Sequence, residues 1–151
     1  MDYLKFSLLF IVVHGVSYVI AGALALKVSG DIYESKNRHC DFLKDMADPE
    51  ESGQVQKLFF PAQLLRGLLM SVVLYPVLGA IRYLPFAAKL FFFAGLMFVY
   101  THFAAASPFM DNIEGCVYFK EKYLQKKYFW KFQGEMVIYS VLFGLLMSLF
   151  I

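Results

Sequence analysis

Charge is scarce in this chain. Lys, Arg, Asp and Glu make up 17% of its 151 residues, against 60% hydrophobic. Soluble domains run about 25% charged and about 45–50% apolar. A soluble fold of this size would expose much greasy surface and aggregate, so lipid is the simpler solvent. Cysteine is also sparse. Cys40 and Cys116 fall in different loops and form no metal motif. Both loops are expected on the reducing, cytoplasmic side, which disfavours a disulfide. A net charge of +2 is too small to argue for nucleic acid. Catalytic signatures are missing: G-x-S-x-G, H-E-x-x-H and the P-loop do not occur. No internal repeat of the transporter kind is evident.

Long apolar runs are what the chain has instead, with 17 Phe and 10 Tyr among them. A membrane span needs about 20 mostly apolar residues. Four segments qualify: Phe6 to Val28, Leu58 to Ile81, Phe86 to Phe109 and Tyr128 to Ile151. The expected fold is therefore all-α, an integral membrane bundle of four transmembrane helices in one domain covering 1–151. "AGALA" in span 1 resembles a signal-peptide cleavage site. Its apolar run exceeds a usual h-region and lacks a basic start, so a retained helix is expected. Spans 2 and 3 are joined only by "RYLP" and must form an antiparallel hairpin. Pro76 inside span 2 predicts a kink.

Orientation follows Lys and Arg. Lys36, Arg38, Lys44 and Lys57 lie in the first long loop. Lys120, Lys122, Lys126, Lys127 and Lys131 lie at the second. The opposite side has Lys5, Arg82 and Lys89. The bias puts both long loops in the cytoplasm and both termini outside. "DFLKDMADPEES" reads as solvated helix or coil. "VYFKEKYLQKKYFWKF" alternates aromatics with lysines and fits the headgroup level, anchored by Tyr123, Tyr128 and Trp130.

One charge sits well inside a span. Arg66 lies eight residues into span 2, about 12 Å from its loop-side end. His102 lies seven residues before the loop-side end of span 3, and Glu135 lies seven into span 4. Alternating topology thus brings Arg66, His102 and Glu135 to nearly one level. Gln63 precedes Arg66 by three residues, and Tyr139 follows Glu135 by one turn. "SPFMDNIEG" after span 3 carries Asp111 and Glu114, and its Pro and Gly suit a turn folding back over this site. The termini-side half of spans 2 to 4 offers almost no polar lining, so a path across one protomer is disfavoured.

A guanidinium suits carboxylate or phosphate. Arg66 therefore reads as an anion-binding residue, with Gln63, Tyr139 and Asp111 beside it. Glu135 would orient it, and His102, Glu135 and Glu114 are the candidate proton carriers. Three other roles stay open. Arg66 can snorkel to the headgroups or form a structural ion pair, and Glu135 can pair with Lys131 at i,i+4. His14, beside Gly15 and Ser17, reads as a packing residue able to bond across to another helix. A haem between His14 and His102 is disfavoured, because their levels differ by about 12 Å. No cofactor or metal is expected.

"F-x-P-x-Q-L-L-R-G-L-L-M", Phe59 to Met70, and "S-P-F-M-D-N-I-E-G-C-V-Y", Ser107 to Tyr118, resemble a group of small uncharacterised prokaryotic membrane proteins. That resemblance covers spans 2 to 4. It implies a prokaryotic inner membrane, attaches no activity, and marks Arg66, Glu114 and Tyr118 for testing, Tyr118 as a ligand contact. The leading expectation is a one-sided intramembrane pocket for an anionic amphiphile or lipid headgroup, with modification of that lipid as the chemistry it could serve. Its alternatives are an oligomeric transporter or channel for small solutes, protons or ions, and an assembly subunit of a membrane complex. Membrane lipid and a second copy of the chain are the expected partners.

Overall fold

Asp2 opens the first helix by accepting a hydrogen bond from the Lys5 amide at 2.8 Å. The computed structural model describes residues 2–33, 41–107, 109–119 and 121–151, the side chains of Tyr33 and Glu114 excepted. Lys36, Arg38, Cys40, Pro108 and Lys120 lie outside the described residues. Every regular element among the described residues is helical. Helix α1 is Tyr3–Val28, followed by the short α2, Gly30–Tyr33. Helix α3 is Pro49–Val73 and α4 is Leu78–Arg82, with a 3-10 turn, Tyr75–Val77, between them. Helix α5, Phe86–Gly95, continues as π-helix through Leu96–Phe103. Helix α6, Ile113–Tyr118, and a 3-10 turn at Glu121–Tyr123 precede α7, Lys126–Phe150.

Among the described residues, three helices are long and apolar enough to cross a membrane: Tyr3–Val28, Phe86–Phe103 and Lys126–Phe150. The pair Pro49–Val73 and Tyr75–Arg82 makes a fourth when counted as one span, bent by 44° at its break. The bend falls where Pro76 predicts it, because proline supplies no amide to continue the ladder. Helix α3 begins at Pro49, nine residues before the expected start of span 2. Asp48 caps it, accepting from the amides of Glu50 and Glu51, and Pro49 occupies a first-turn position that wants no amide proton. Span 3 is shorter than expected. Its helix ends at Phe103, and Phe109 lies in the loop beyond.

The helices pack principally as α3 on α1, α1 on α7 and α7 on α5. Helices α3 and α5 share no comparable seam among the described residues. Gly144 sets the α5–α7 distance. A Cβ there would stand 2.8 Å from the Ala94 amide nitrogen and 2.9 Å from the Leu90 carbonyl oxygen. The apolar centre is built from Phe6, Phe10, Phe93, Phe143 and Met147, all fully buried. Phe10 and Phe143 meet edge to face at 4.9 Å.

The two long connections are not simply solvated. They fold onto each other around a second apolar cluster of Ile32, Met110 and Phe132. Phe42 lies across Tyr123 at 5.3 Å, and the Tyr123 hydroxyl donates to Asp41 at 3.0 Å. Lys127 and Lys131 both donate to Asp31, at 2.8 and 2.6 Å. Lys131 therefore takes a partner from the first connection instead of Glu135. The lysine hydrogen bonds hold the Asp31 carboxyl below the usual range. Cys116 is exposed.

Candidate functional site

The π-helical stretch places His102. Its wider turn closes on Ala104, whose amide donates to Val99 five residues back at 2.8 Å. The Thr101 hydroxyl bonds back to Met97 O at 2.7 Å. The chain then leaves the helix and folds back. Asn112 holds this return. Its Oδ1 accepts from Phe109 N at 3.0 Å and Gly115 N at 2.7 Å, and its Nδ2 donates to Ser107 O at 2.7 Å. Gly115 is required there, because a Cβ would fall 1.4 Å from the Phe109 carbonyl oxygen. The fold-back expected of "SPFMDNIEG" is thus present.

Beneath this loop is a partly open cavity of about 270 Å³. Arg66 from α3, Tyr18 from α1, Tyr139 from α7, and Thr101 and His102 line it, with Asn112 in the roof. It occupies the loop-side end of the gap between α3 and α5. Arg66 is half-buried and makes no ion pair or hydrogen bond among the described residues. Gly67, next to it, lets α3 lie close on α1. A Cβ there would stand 3.2 Å from Ile11 Cα.

His102 forms part of one wall, and Asp111 stands behind it. His102 is 9% exposed and Asp111 is 1% exposed. His102 Nε2 is 3.4 Å from Asp111 Oδ2, but lacks the alignment of a hydrogen bond. Nε2 and Asp111 Oδ1 are both buried without a hydrogen-bond partner among the described residues. Burial, and secondarily the Glu135 carboxylate, push the Asp111 carboxyl up to about 6 against its backbone hydrogen bond. Gln133 anchors this corner by donating to the Asp111 carbonyl.

A second polar group backs the cavity. His14 is fully buried and bonds to two helices, at 2.9 Å to Gln63 Oε1 and 2.6 Å to the Tyr139 hydroxyl. Gln63 Oε1 can only accept, so His14 Nε2 carries the proton. In the neutral ring, Nδ1 then accepts from Tyr139. That tautomer is assigned from the network. Tyr139 also lies 3.4 Å from Met97 Sδ.

Several expected site residues fall elsewhere. Glu135 does not line the cavity with Arg66 and makes no ion pair with it. It lines a separate hollow of about 500 Å³ with Leu24, Trp130 and Lys131, and is engaged by other contacts. Tyr118 is 70% exposed on α6 and lines no cavity described here. Asp111 stands behind His102 without lining the cavity, and Gln63 reaches it only through His14 and Tyr139. The Glu114 side chain lies outside the described residues. The sequence reading missed Tyr18, Asn112 and the backing role of His14. It also missed buried polar groups towards the termini: Ser7 bonds Ser71 at 2.8 Å and Tyr75 at 2.6 Å. The apolar layer of Phe10, Phe93 and Phe143 stands between that cluster and the cavity. No protein-family model, curated protein or solved structure matches the chain.

Proposed function

We propose that this chain is a four-span membrane protein whose loop-side half holds the headgroup of an anionic amphiphile. The proposed setting is a four-helix transmembrane bundle in a prokaryotic inner membrane, with both long connections cytoplasmic and both termini outside. The lysine bias supports that orientation. One observation carries the binding reading: the Arg66 guanidinium lines a cavity and has no carboxylate partner among the described residues. A charge in hydrocarbon costs at least about 2.5–3.5 kcal/mol, so it calls for an anion. Guanidinium offers that anion a planar fork of donors.

The apolar layer below the cavity favours a one-sided pocket over a conduit through one protomer. An amphiphile suits the surroundings, because the cavity wall carries Met136 and Phe109 beside its polar groups. Adjacent helices also offer an apolar groove of about 390 Å³ between Ile11, Val16 and Phe60. Lipids that co-purify with the protein are measured by mass spectrometry, in wild type and in Arg66→Leu. An anionic lipid retained by wild type and lost from a folded Arg66→Leu variant is the expected result. An unchanged lipid profile in that folded variant would refute the reading.

A further inference from the structure

Among the described residues, two side chains able to carry positive charge face this cavity, and only one of them is permanently cationic. Arg66 supplies a fixed charge. His102, 91% buried by its 9% exposure, supplies an imidazole with an unpartnered Nε2. Both line the same space. Asp111 stands 3.4 Å behind the ring and is itself incompletely bonded. Buried polar atoms are normally paired, so two neighbouring orphans call for an explanation. A bound dianion provides one. It draws a proton onto His102, whose Nε2 then donates to the ligand and gains a partner, while the imidazolium charge stays 3.4 Å from Asp111 Oδ2.

The chemistry of the remaining neighbours is consistent with that charge count. On α1, Tyr18 lines the cavity and His14 is held by Gln63 and Tyr139. On α7, Gln133 and Tyr139 present neutral groups, and Glu135, though it lines the other hollow, is near enough for its carboxylate to act on Asp111. Arg66 is thus the fixed cation on the wall and His102 the inducible one. A phosphodiester or a carboxylate carries one charge and needs only the first. A phosphate monoester carries about −1.5 to −2 at neutral pH and has three acceptor oxygens, enough for both.

We infer that the cavity selects a phosphate monoester headgroup over phosphodiesters and carboxylates, with Arg66 and His102 sharing the phosphate and Asp111 positioning His102. This rests on the anion-binding reading above and narrows it to one ligand class. The phosphate can belong to a lipid or to a soluble ester, and the two sources are separable.

Affinities are measured by isothermal titration calorimetry on the full chain in maltoside micelles at neutral pH. The probes are lysophosphatidic acid, lysophosphatidylglycerol, oleic acid and glycerol 3-phosphate. Lysophosphatidic acid is expected to bind at least about tenfold tighter than lysophosphatidylglycerol, the value of one added charge-assisted hydrogen bond. His102→Gln brings that ratio close to one, because the advantage of the monoester rests on the imidazolium. Asp111→Asn lowers the ratio part of the way. Weak binding of glycerol 3-phosphate assigns the site to a lipid, and equal binding assigns it to a soluble monoester. Equal affinity of wild type for monoester and diester, still lost in Arg66→Gln, overturns this inference and leaves the anion pocket standing. Binding that survives Arg66→Gln for every probe overturns both. The wild-type ratio is decisive even where a variant fails to fold.

Discussion

Asn112→Ala should release the roof of the cavity. The side chain is 2% exposed and makes three hydrogen bonds, two accepted from Phe109 and Gly115 and one donated to Ser107. At about 1 kcal/mol net for each bond, the loss is about 3 kcal/mol. The Gly115 amide bond is buried, so that donor is left without a partner. Ser107 is exposed, and water can replace its lost partner. The loop is a local structure, so the effect belongs to local opening before global unfolding. Amide hydrogen exchange read by mass spectrometry on peptides covering residues 104–119 should accelerate by about 100-fold, since each 1.4 kcal/mol is tenfold. Peptides from the middle of α1 and α7 should exchange as in wild type. Asp48→Ala provides the comparison, because that exposed cap is worth only about 1 kcal/mol to the start of α3. Exchange in 104–119 that changes less than threefold would refute the assignment of Asn112 as the pin of this loop.

Four further outcomes follow from particular residues. Gly144→Ala should destabilise the chain by about 1–3 kcal/mol in detergent unfolding, because its Cβ meets Ala94 and Leu90 backbone atoms. Gly22→Ala, with nothing within 4 Å, should be neutral or slightly stabilising. Asp111 binds its proton more tightly folded than unfolded, about 6 against 3.8, so wild type should lose stability as pH rises from 4 to above 6. That loss is on the order of 3 kcal/mol, and Asp111→Asn should flatten it when unfolding is followed across this range. Lys131→Ala should lower the melting temperature more than Lys127→Ala, since side-chain exposure is 20% for Lys131 and 64% for Lys127 in their pairs with Asp31.

Hydropathy made the apolar helices legible, because long runs without charge have few other solutions in lipid. Pro76 located the break in the second span, and alternating topology was enough to bring Arg66 and His102 to one cavity. The same signal failed at boundaries. Residues 104–109 read as membrane by composition, yet the helix ends at Phe103, and Ser107 and Phe109 line the cavity from the return. Residues 49–57 are too polar for a hydropathy window, although Asp48, Pro49 and the two glutamates form a recognisable helix start. Partner choice was also out of reach. Lys131 has Glu135 one turn away but reaches Asp31 across 100 residues of sequence, a contact set only by the packing of the two connections. Glu135 shows the limit of reasoning by depth: a shared level says nothing of direction around the helix axis, and Glu135 lines another hollow. The bonds from Ser7 to Ser71 and Tyr75 in the termini-side half were not legible, because scattered hydroxyls leave an apolar average intact.

The most direct measurement is solid-state NMR of the protein in bilayers containing a phosphate monoester lipid, with arginine labelled by nitrogen-15. A nitrogen–phosphorus dipolar contact at close range is expected, one that disappears in Arg66→Gln while the other arginine signals persist. A spectrum in which lipid is bound but no Arg66 nitrogen approaches phosphorus would contradict that expectation.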